Sequence, residues 1–303
     1  MTFTIVGPEA AAKLDWLALT DALAAGHALP RAEVADTILQ QGGNTLLTRS
    51  AWIAGMGIAV KAATVYPENP RAGLPAIDGA VTLYADQTGV FEALVDFKLV
   101  TRWKTAGDTL LAARRLARPD AERFLIVGAG AVAHSMVEAY RTAFPKARFH
   151  IWARNAEAAR AFADETGATV EPDLESAVRR AEVIVTTTMA TSPLIRGAWL
   201  APGTHLDMIG AYRPDMREAD DDCFRRARVF VDARATTLHH IGELMIPLKA
   251  GVIREADVLA DFYDLPSGRF ARTSADEITL CKNGGGAHLD LMTARYILKA
   301  AGA

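Results

Sequence analysis

The chain has 303 residues, half of them hydrophobic and 23% charged, with a formal net charge of −3. That length and balance describe a globular protein able to bury one large or two smaller cores without disulfides or structural metal. They exclude a nucleic-acid binder, which would carry a basic patch, and a membrane-spanning chain, since no stretch reaches ~20 apolar residues.

At the N-terminus Glu9, Asp15 and Asp21 interrupt the apolar residues, without the basic start and apolar block of a signal peptide. A cytoplasmic protein is expected. Residues 13–25 have helical spacing, with Leu14, Leu17, Ala18 and Leu23 near one side. Residues 44–47, 52–53 and 58–65 are rich in β-branched and apolar types and predict strands. Residues 81–84 and 91–96 flank Asp86-Gln87-Thr88-Gly89, whose turn chemistry predicts a β-hairpin. A helix is predicted over 101–117, with Arg114, Arg115 and Arg118 near its end and Pro119-Asp120 stopping it. Residues 1–118 are thus expected to form an α+β domain.

From Arg123 strand and helix alternate. Strands are predicted at 124–127, 149–152, 182–187, 205–209 and 229–231, with helices at 133–144 and 156–165, the latter capped by Gly167. Strands separated by helices of ~10–15 residues signal βαβ units around a parallel sheet. Residues 119–286 are therefore expected to be a doubly wound Rossmann-type domain, making the chain α/β. After the Gly284-Gly285-Gly286 turn, Leu289, Met292, Tyr296, Ile297 and Ala300 follow helical spacing. This last helix, 287–303, is expected to return to the first domain. Cys223 and Cys281 fit no metal-ligand spacing or redox pair, and adjacent His239-His240 suit neither a helical pair nor one strand face, so no metal is expected.

Gly128-Ala129-Gly130-Ala131-Val132-Ala133 has the G-x-G-x-x-A form of a dinucleotide fingerprint, with a strand before it and a helix after it. Gly128 permits the tight turn, Gly130 lets backbone approach a pyrophosphate, and Ala133 lets helix and strand pack. The helix start at Ala131 and Val132 would direct its free N–H groups at phosphate. An NAD site usually ends its second strand with Asp or Glu on the ribose 2′-hydroxyl. Here Ala153-Arg154-Asn155 stands at that place. Arg154 would pair with a 2′-phosphate, so NADPH is expected, with NADH the alternative. Thr188 and Met189, at the end of a later strand, are candidates to line the nicotinamide.

Together these residues resemble the ornithine cyclodeaminase and mu-crystallin family over nearly the whole length. The likeness runs in order through Leu47-Thr48-Arg49, Lys61 in Gly57-Ile58-Ala59-Val60-Lys61, and Thr101-Arg102-Trp103-Lys104-Thr105-Ala106. It continues through the Gly128 fingerprint, the segment from Ile209-Gly210-Ala211-Tyr212-Arg213-Pro214 to Glu218, and Lys282-Asn283-Gly284-Gly285-Gly286-Ala287. The resemblance implies a substrate and dimerisation domain beside the Rossmann domain, a small imino- or amino-acid substrate, and a homodimer. By the same analogy the hairpin 81–96 is expected to be exposed and to serve the dimer. Arg49 and Lys61 match positions with which the family holds the substrate carboxylate, and are expected to be its catalytic and binding residues. Lys104 is expected near the substrate or the pyrophosphate, with Thr105, Ile209 and Gly210 at the cofactor. Paired cations suit a carboxylate, and Lys61 is unusual in an otherwise apolar strand, where an unpaired charge is costly.

Two departures narrow the activity. Lys104-Thr105-Ala106-Gly107 replaces the family's Arg-Thr-Ala-Ala, keeping the charge but losing the guanidinium fork. Tyr212 stands where the cyclodeaminases have a catalytic Asp, much as in the ketimine reductase branch, and Asp215 lies three residues on. The expected activity is NADPH-dependent reduction of a cyclic ketimine carboxylate, Δ1-pyrroline-2-carboxylate or Δ1-piperideine-2-carboxylate, to L-proline or L-pipecolate. The alternatives are an ornithine cyclodeaminase, an alanine dehydrogenase, or a non-catalytic NADPH-binding carrier. Of the seven histidines, His288 is the first candidate for acid–base work because it follows the glycine turn.

Overall fold

The computed structural model describes residues 3–302. Residues 1, 2 and 303, which the expected domain limits include, lie outside the described residues. In chain order the first elements are β1 (Thr4–Val6), α1 (Trp16–His27), β2 (Glu33–Gln41), β3 (Asn44–Ile53), β4 (Gly57–Val65), β5 (Ile77–Tyr84), β6 (Phe91–Asp96) and α2 (Phe97–Leu116). Then come β7 (Arg123–Val127), α3 (Ala131–Ala143), β8 (Arg148–Trp152), α4 (Ala156–Thr166), β9 (Thr169–Val170), α5 (Leu174–Arg180), β10 (Val183–Thr186) and β11 (His205–Met208). The chain ends with α6 (Asp221–Arg226), β12 (Arg228–Val231), α7 (Arg234–Thr237), α8 (Gly242–Lys249), β13 (Val258–Ala260), β14 (Thr279–Lys282) and α9 (Ala287–Ala301). It divides into two compact units, Met1–Gly107 with Gly286–Ala303, and Asp108–Gly285. The first division falls inside α2, ahead of the Pro119 stop at which a boundary is expected from sequence.

The first unit is a six-stranded sheet in the order β1-β6-β5-β4-β3-β2. β1 pairs parallel with β6 and the other pairs are antiparallel. Helix α9 packs on β3 and β4, and α1 packs on α9. Along β4 burial alternates, placing Ala59, Lys61 and Ala63 on the buried face. α1 begins at Trp16 rather than at residue 13 because Asp15 Oδ1 accepts from the Ala18 N–H (2.8 Å) and caps it. Gly107 leaves room for Leu19, since a Cβ there would lie 2.5 Å from Leu19 Cδ2. That contact accounts for Gly at this position of the Lys104-Thr105-Ala106-Gly107 segment.

Segments 44–47 and 52–53 belong to one continuous strand, β3. The hairpin 81–96 forms, but it is not an exposed element. β5 and β6 lie inside the sheet, and Val81, Leu83, Ala93 and Val95 are buried. The exposed strand is β2, solvent-facing at all nine residues, with Val34, Ile38 and Leu39 among them. β2 escaped the sequence reading because Glu33, Asp36, Gln40 and Gln41 break any alternation.

The second unit is an eight-stranded parallel sheet in the order β13-β12-β14-β11-β10-β7-β8-β9. From β9 through β7 to β14 this is the doubly wound order, and the connections reverse between β7 and β10. The central strands are buried on both faces, as crossovers that cover both sides of a parallel sheet require. α4 ends at Gly167, which adopts φ 73° as its expected cap role demands. No helix among the described residues is long and apolar enough to cross a membrane.

Candidate active site

In the second unit the fingerprint lies at the β7–β10 reversal, where doubly wound sheets bind ligands. Gly128 has φ 107°, and a Cβ there would meet Thr187 Oγ1 at 2.8 Å. Gly128 is therefore required by the fold itself. Gly130 is different: it is the N-cap of α3, its φ is −87°, and a Cβ would meet nothing within 4 Å. Packing does not demand glycine there, whereas a pyrophosphate laid against the backbone would. No side chain caps α3, and Ala131 and Val132 are exposed at its first turn. Its free amides thus suit a phosphate. Arg154 is exposed just beyond β8 and makes no hydrogen bond or ion pair among the described residues. The neighbouring Asn155 uses Oδ1 to accept from the N–H groups of Glu157 (2.9 Å) and Ala158 (3.2 Å), capping α4.

The loops beyond β10 and β11 are tied together by a carboxylate to which the sequence reading gave no role. Glu218, fully buried, accepts at Oε1 from the Thr188 N–H and hydroxyl, both at 2.7 Å. Its Oε2 accepts from the Thr186 hydroxyl (2.8 Å) and the Ala211 N–H (3.2 Å). Gly210 sits in this knot, where a Cβ would lie 2.1 Å from the Thr188 carbonyl oxygen. The Ile209 and Gly210 N–H groups donate to the Thr186 carbonyl, while Met189 stands exposed. Glu243 accepts from the N–H groups of Glu218 (2.6 Å) and Ala219 (3.0 Å). Burial, and then the charge of Glu218, push Glu243 up to about 8. Lys282 is fully buried and donates to the carbonyls of Met208 (2.9 Å) and Asn283 (3.0 Å). Burial lowers its pKa, and Glu218, Glu243, Asp232 and Asp108 oppose the shift. Asp232 Oδ2 receives the N–H groups of Gly284 (2.9 Å) and Gly285 (2.6 Å), fixing the glycine turn.

The first unit gathers the cations. Strand register aligns Asp36, Arg49, Lys61 and Val81 across β2, β3, β4 and β5, so their side chains share one face. Arg49 Nη2 donates to Asp36 Oδ2 (2.8 Å) and Nε donates to both oxygens. Lys61 is 8% exposed, its Nζ lies 3.0 Å from Asp290 Oδ1, and it sits 4.9 Å from the centre of the Phe97 ring. Burial lowers the Lys61 pKa, with Asp290 opposing and Lys104 and Arg49 reinforcing the shift. Lys104 is half-buried on α2, and Thr105 turns its hydroxyl back to the Thr101 carbonyl (2.9 Å).

His288 is buried at the start of α9, with its ring edge-on to His27 at 5.4 Å. Burial and the charges of His27, Lys104 and Arg49 drive its pKa well below the ordinary value, so it is neutral at physiological pH. Tyr212 is exposed, and Asp215 is paired with Arg213 at 2.9 Å. Among the described residues no cluster of three or more His, Cys, Asp or Glu is placed to hold a metal ion.

Residues 49–302 match the model of the ornithine cyclodeaminase/mu-crystallin family. The chain is 47% identical to a Δ1-pyrroline-2-carboxylate reductase of Paracoccus denitrificans, covering 96% of this chain and 94% of that protein. It is 31% identical to the ketimine reductase mu-crystallin of Mus musculus, covering 79% and 75%. Among solved structures, the Δ1-pyrroline-2-carboxylate reductase of Thermococcus litoralis in complex with NADH and L-proline superposes with a TM-score of 0.88. That match covers 98% of this chain and 97% of the other at 25% identity.

Proposed function

The chain belongs to the ornithine cyclodeaminase/mu-crystallin family, and from that premise we propose that it reduces cyclic ketimine carboxylates with NADPH. The substrates are Δ1-pyrroline-2-carboxylate, Δ1-piperideine-2-carboxylate or both, and the products L-proline and L-pipecolate. The observation that carries this reading is the near-full-length likeness to the Paracoccus reductase. The cation row of β3 and β4 agrees with it, because the substrate presents a carboxylate to be held. The two units take the roles of a substrate and dimerisation domain and a dinucleotide-binding domain, in a cytoplasmic homodimer.

In this mechanism Arg49 and Lys61 grip the carboxylate, and Lys104 adds positive charge beside them. A cyclic imine protonated on nitrogen already has an electrophilic ring carbon, so holding and orienting it is the main task left to the side chains. Gly128, Gly130, Ala131 and Val132 hold the pyrophosphate, Arg154 the 2′-phosphate and Asn155 the start of α4 beside it. Thr188, Met189, Ile209 and Gly210 border the nicotinamide, and Glu218 keeps those loops in register. Thr105, the next residue of α2, is assigned to the cofactor. The reduced nicotinamide, when bound, supplies the hydride. Tyr212 leaves this chain without the carboxylate that amine elimination would use. The dimer is assigned to the first unit, whose β2 edge exposes Val34, Ile38 and Leu39.

The test is a spectrophotometric assay of NADPH and NADH oxidation with each cyclic imine, and with pyruvate plus ammonia. Ammonia-independent turnover on a cyclic imine is expected. Turnover only with pyruvate and ammonia, release of ammonia from ornithine with NAD⁺, or cofactor binding with no turnover would each replace this reading with another.

A further inference from the structure

We propose that Asp290 is a positioning residue of the imino-acid site: from α9 it holds Lys61 as a fixed ammonium on the sheet face, where a substrate carboxylate is to be gripped. The inference rests on the reading that Lys61 meets that carboxylate. It starts from an asymmetry between the two cations of the row. Arg49 faces Asp36 at a partly open site, with side chains 26% and 41% exposed, while Lys61 faces Asp290 with side chains 9% and 1% exposed. A guanidinium stays charged in almost any setting, but a buried lysine does not. Lys61 needs a local reason to keep its proton.

The surroundings make that need specific. Lys61 meets positive groups on β3 (Arg49) and on α2 (Lys104), and both charges favour loss of its proton, as does burial. Two further titratable groups of the unit, His288 on α9 and His27 on α1, are both buried, and burial drives each below its ordinary pKa, His27 to about 4. They add no negative charge. Asp290 is the carboxylate that acts on Lys61 in the opposite sense. Its Oδ1 receives the ammonium at 3.0 Å, while Oδ2 is buried without a hydrogen-bond partner among the described residues. A carboxylate left half-satisfied in this way depends on Lys61 for its compensation, so the pair is mutually fixed. The Phe97 ring at 4.9 Å closes a further side of the ammonium. A helix returning from the far end of the sequence thus sets the charge state of a strand residue 229 positions earlier.

The experiment compares wild type with Asp290→Asn and Asp290→Glu. The charged ammonium is the competent form, so kcat/KM falls as pH rises through the Lys61 pKa. Asp290→Asn is expected to move that alkaline limb at least one pH unit lower and to raise the imine KM about tenfold at pH 8, with NADPH affinity unchanged. Asp290→Glu is expected to restore part of both. The titration of the imine itself is common to all variants and cancels. Uniform loss of kcat/KM at every pH, with the limb in place, would mean a merely structural residue and overturn the inference. ¹⁵N-lysine NMR, with the Lys61 signal assigned by its absence in Lys61→Met, follows the same titration without turnover. An inactive wild type would therefore count against the functional reading, while an unmoved Lys61 signal would count against this inference. If Asp290→Asn does not fold, the double variant Lys61→Met/Asp290→Leu is expected to fold and melt near wild type. Its failure to fold would also overturn the inference.

Discussion

The two sheets of this protein present their residues in opposite ways. In the second unit every strand is parallel and the central strands are covered on both faces, so those strands leave no side chain to meet a ligand. The proposed cofactor site falls to loops beyond the strand ends, shaped by glycines and tied by the buried Glu218, Glu243 and Asp232. In the first unit the antiparallel sheet places side chains themselves on a face, and Asp36, Arg49 and Lys61 line up simply because their strands are in register. On the proposed reading, glycine-shaped backbone together with Arg154 would recognise the cofactor in one unit, and the charges of a strand row would recognise the imino acid in the other. Substitutions should therefore separate: those in the first unit should affect the imino acid, and those in the second the cofactor.

The strongest way to break that division is Lys61→Met. It is expected to lower kcat/KM for the imine by about 10³-fold while leaving NADPH binding by calorimetry within about twofold, as loss of a buried, charge-assisted anchor implies. Parallel loss of cofactor affinity would refute the separation. On the other side, Glu218→Gln replaces one of two accepting oxygens by a donor, so two of the four bonds holding the Thr186, Thr188 and Ala211 positions are lost. About 10²-fold weaker NADPH binding is expected at roughly 1.5 kcal/mol per bond, with the imine KM little changed in steady-state assays at saturating cofactor. Arg154→Asp sharpens the cofactor side further. NADPH is expected to bind about 30-fold more weakly and NADH within about threefold; an equal loss of both would show that Arg154 does not meet a 2′-phosphate.

Glu243 gives a pH signature belonging to the second unit alone. Its folded-state pKa, about 8, lies above its ordinary carboxylate value of 4.5, so between those values the folded chain holds a proton that the unfolded chain releases. Stability from this group is complete below about pH 4.5 and is lost as pH rises toward 8. The melting temperature of wild type should fall by on the order of 5 °C more than that of Glu243→Gln across this window. Matching slopes would show that Glu243 is already ionised. The smallest effect is expected for Asp36→Asn. An ion pair this exposed contributes about 0–1 kcal/mol, so scanning calorimetry should find the melting temperature shifted by no more than ~3 °C.

Legibility differed between the units for the same reason as their chemistry. The loop after β7 depends on glycines close in sequence, and the roles proposed for Gly128 and Gly130 needed only the strand before them and the helix after them. Arg49 and Lys61 stood out as candidates through the family resemblance and through the oddity of a lysine among alanines and valines. Their partners Asp36 and Asp290 carry no local signal, and Glu218 closes the segment that begins at Ile209 with nothing in the sequence to show what it binds. The hairpin 81–96 formed as its turn residues dictated, yet its place inside the sheet, and the exposure of β2 in its stead, followed from strand order.

What the sequence determined by itself is local. Alternating hydrophobicity and turn residues set most of the strands and helices, and closely spaced glycines set the loop between β7 and α3, because steric and hydrogen-bonding limits act over a few residues. What only the tertiary structure decided is which charge answers which. Lys61 and Asp290 stand 229 positions apart, and Glu218 meets Thr186 across 32. Such pairs arise when sheet register and helix packing bring distant residues into a low-dielectric interior, where an ionised group must find its partner or lose its charge.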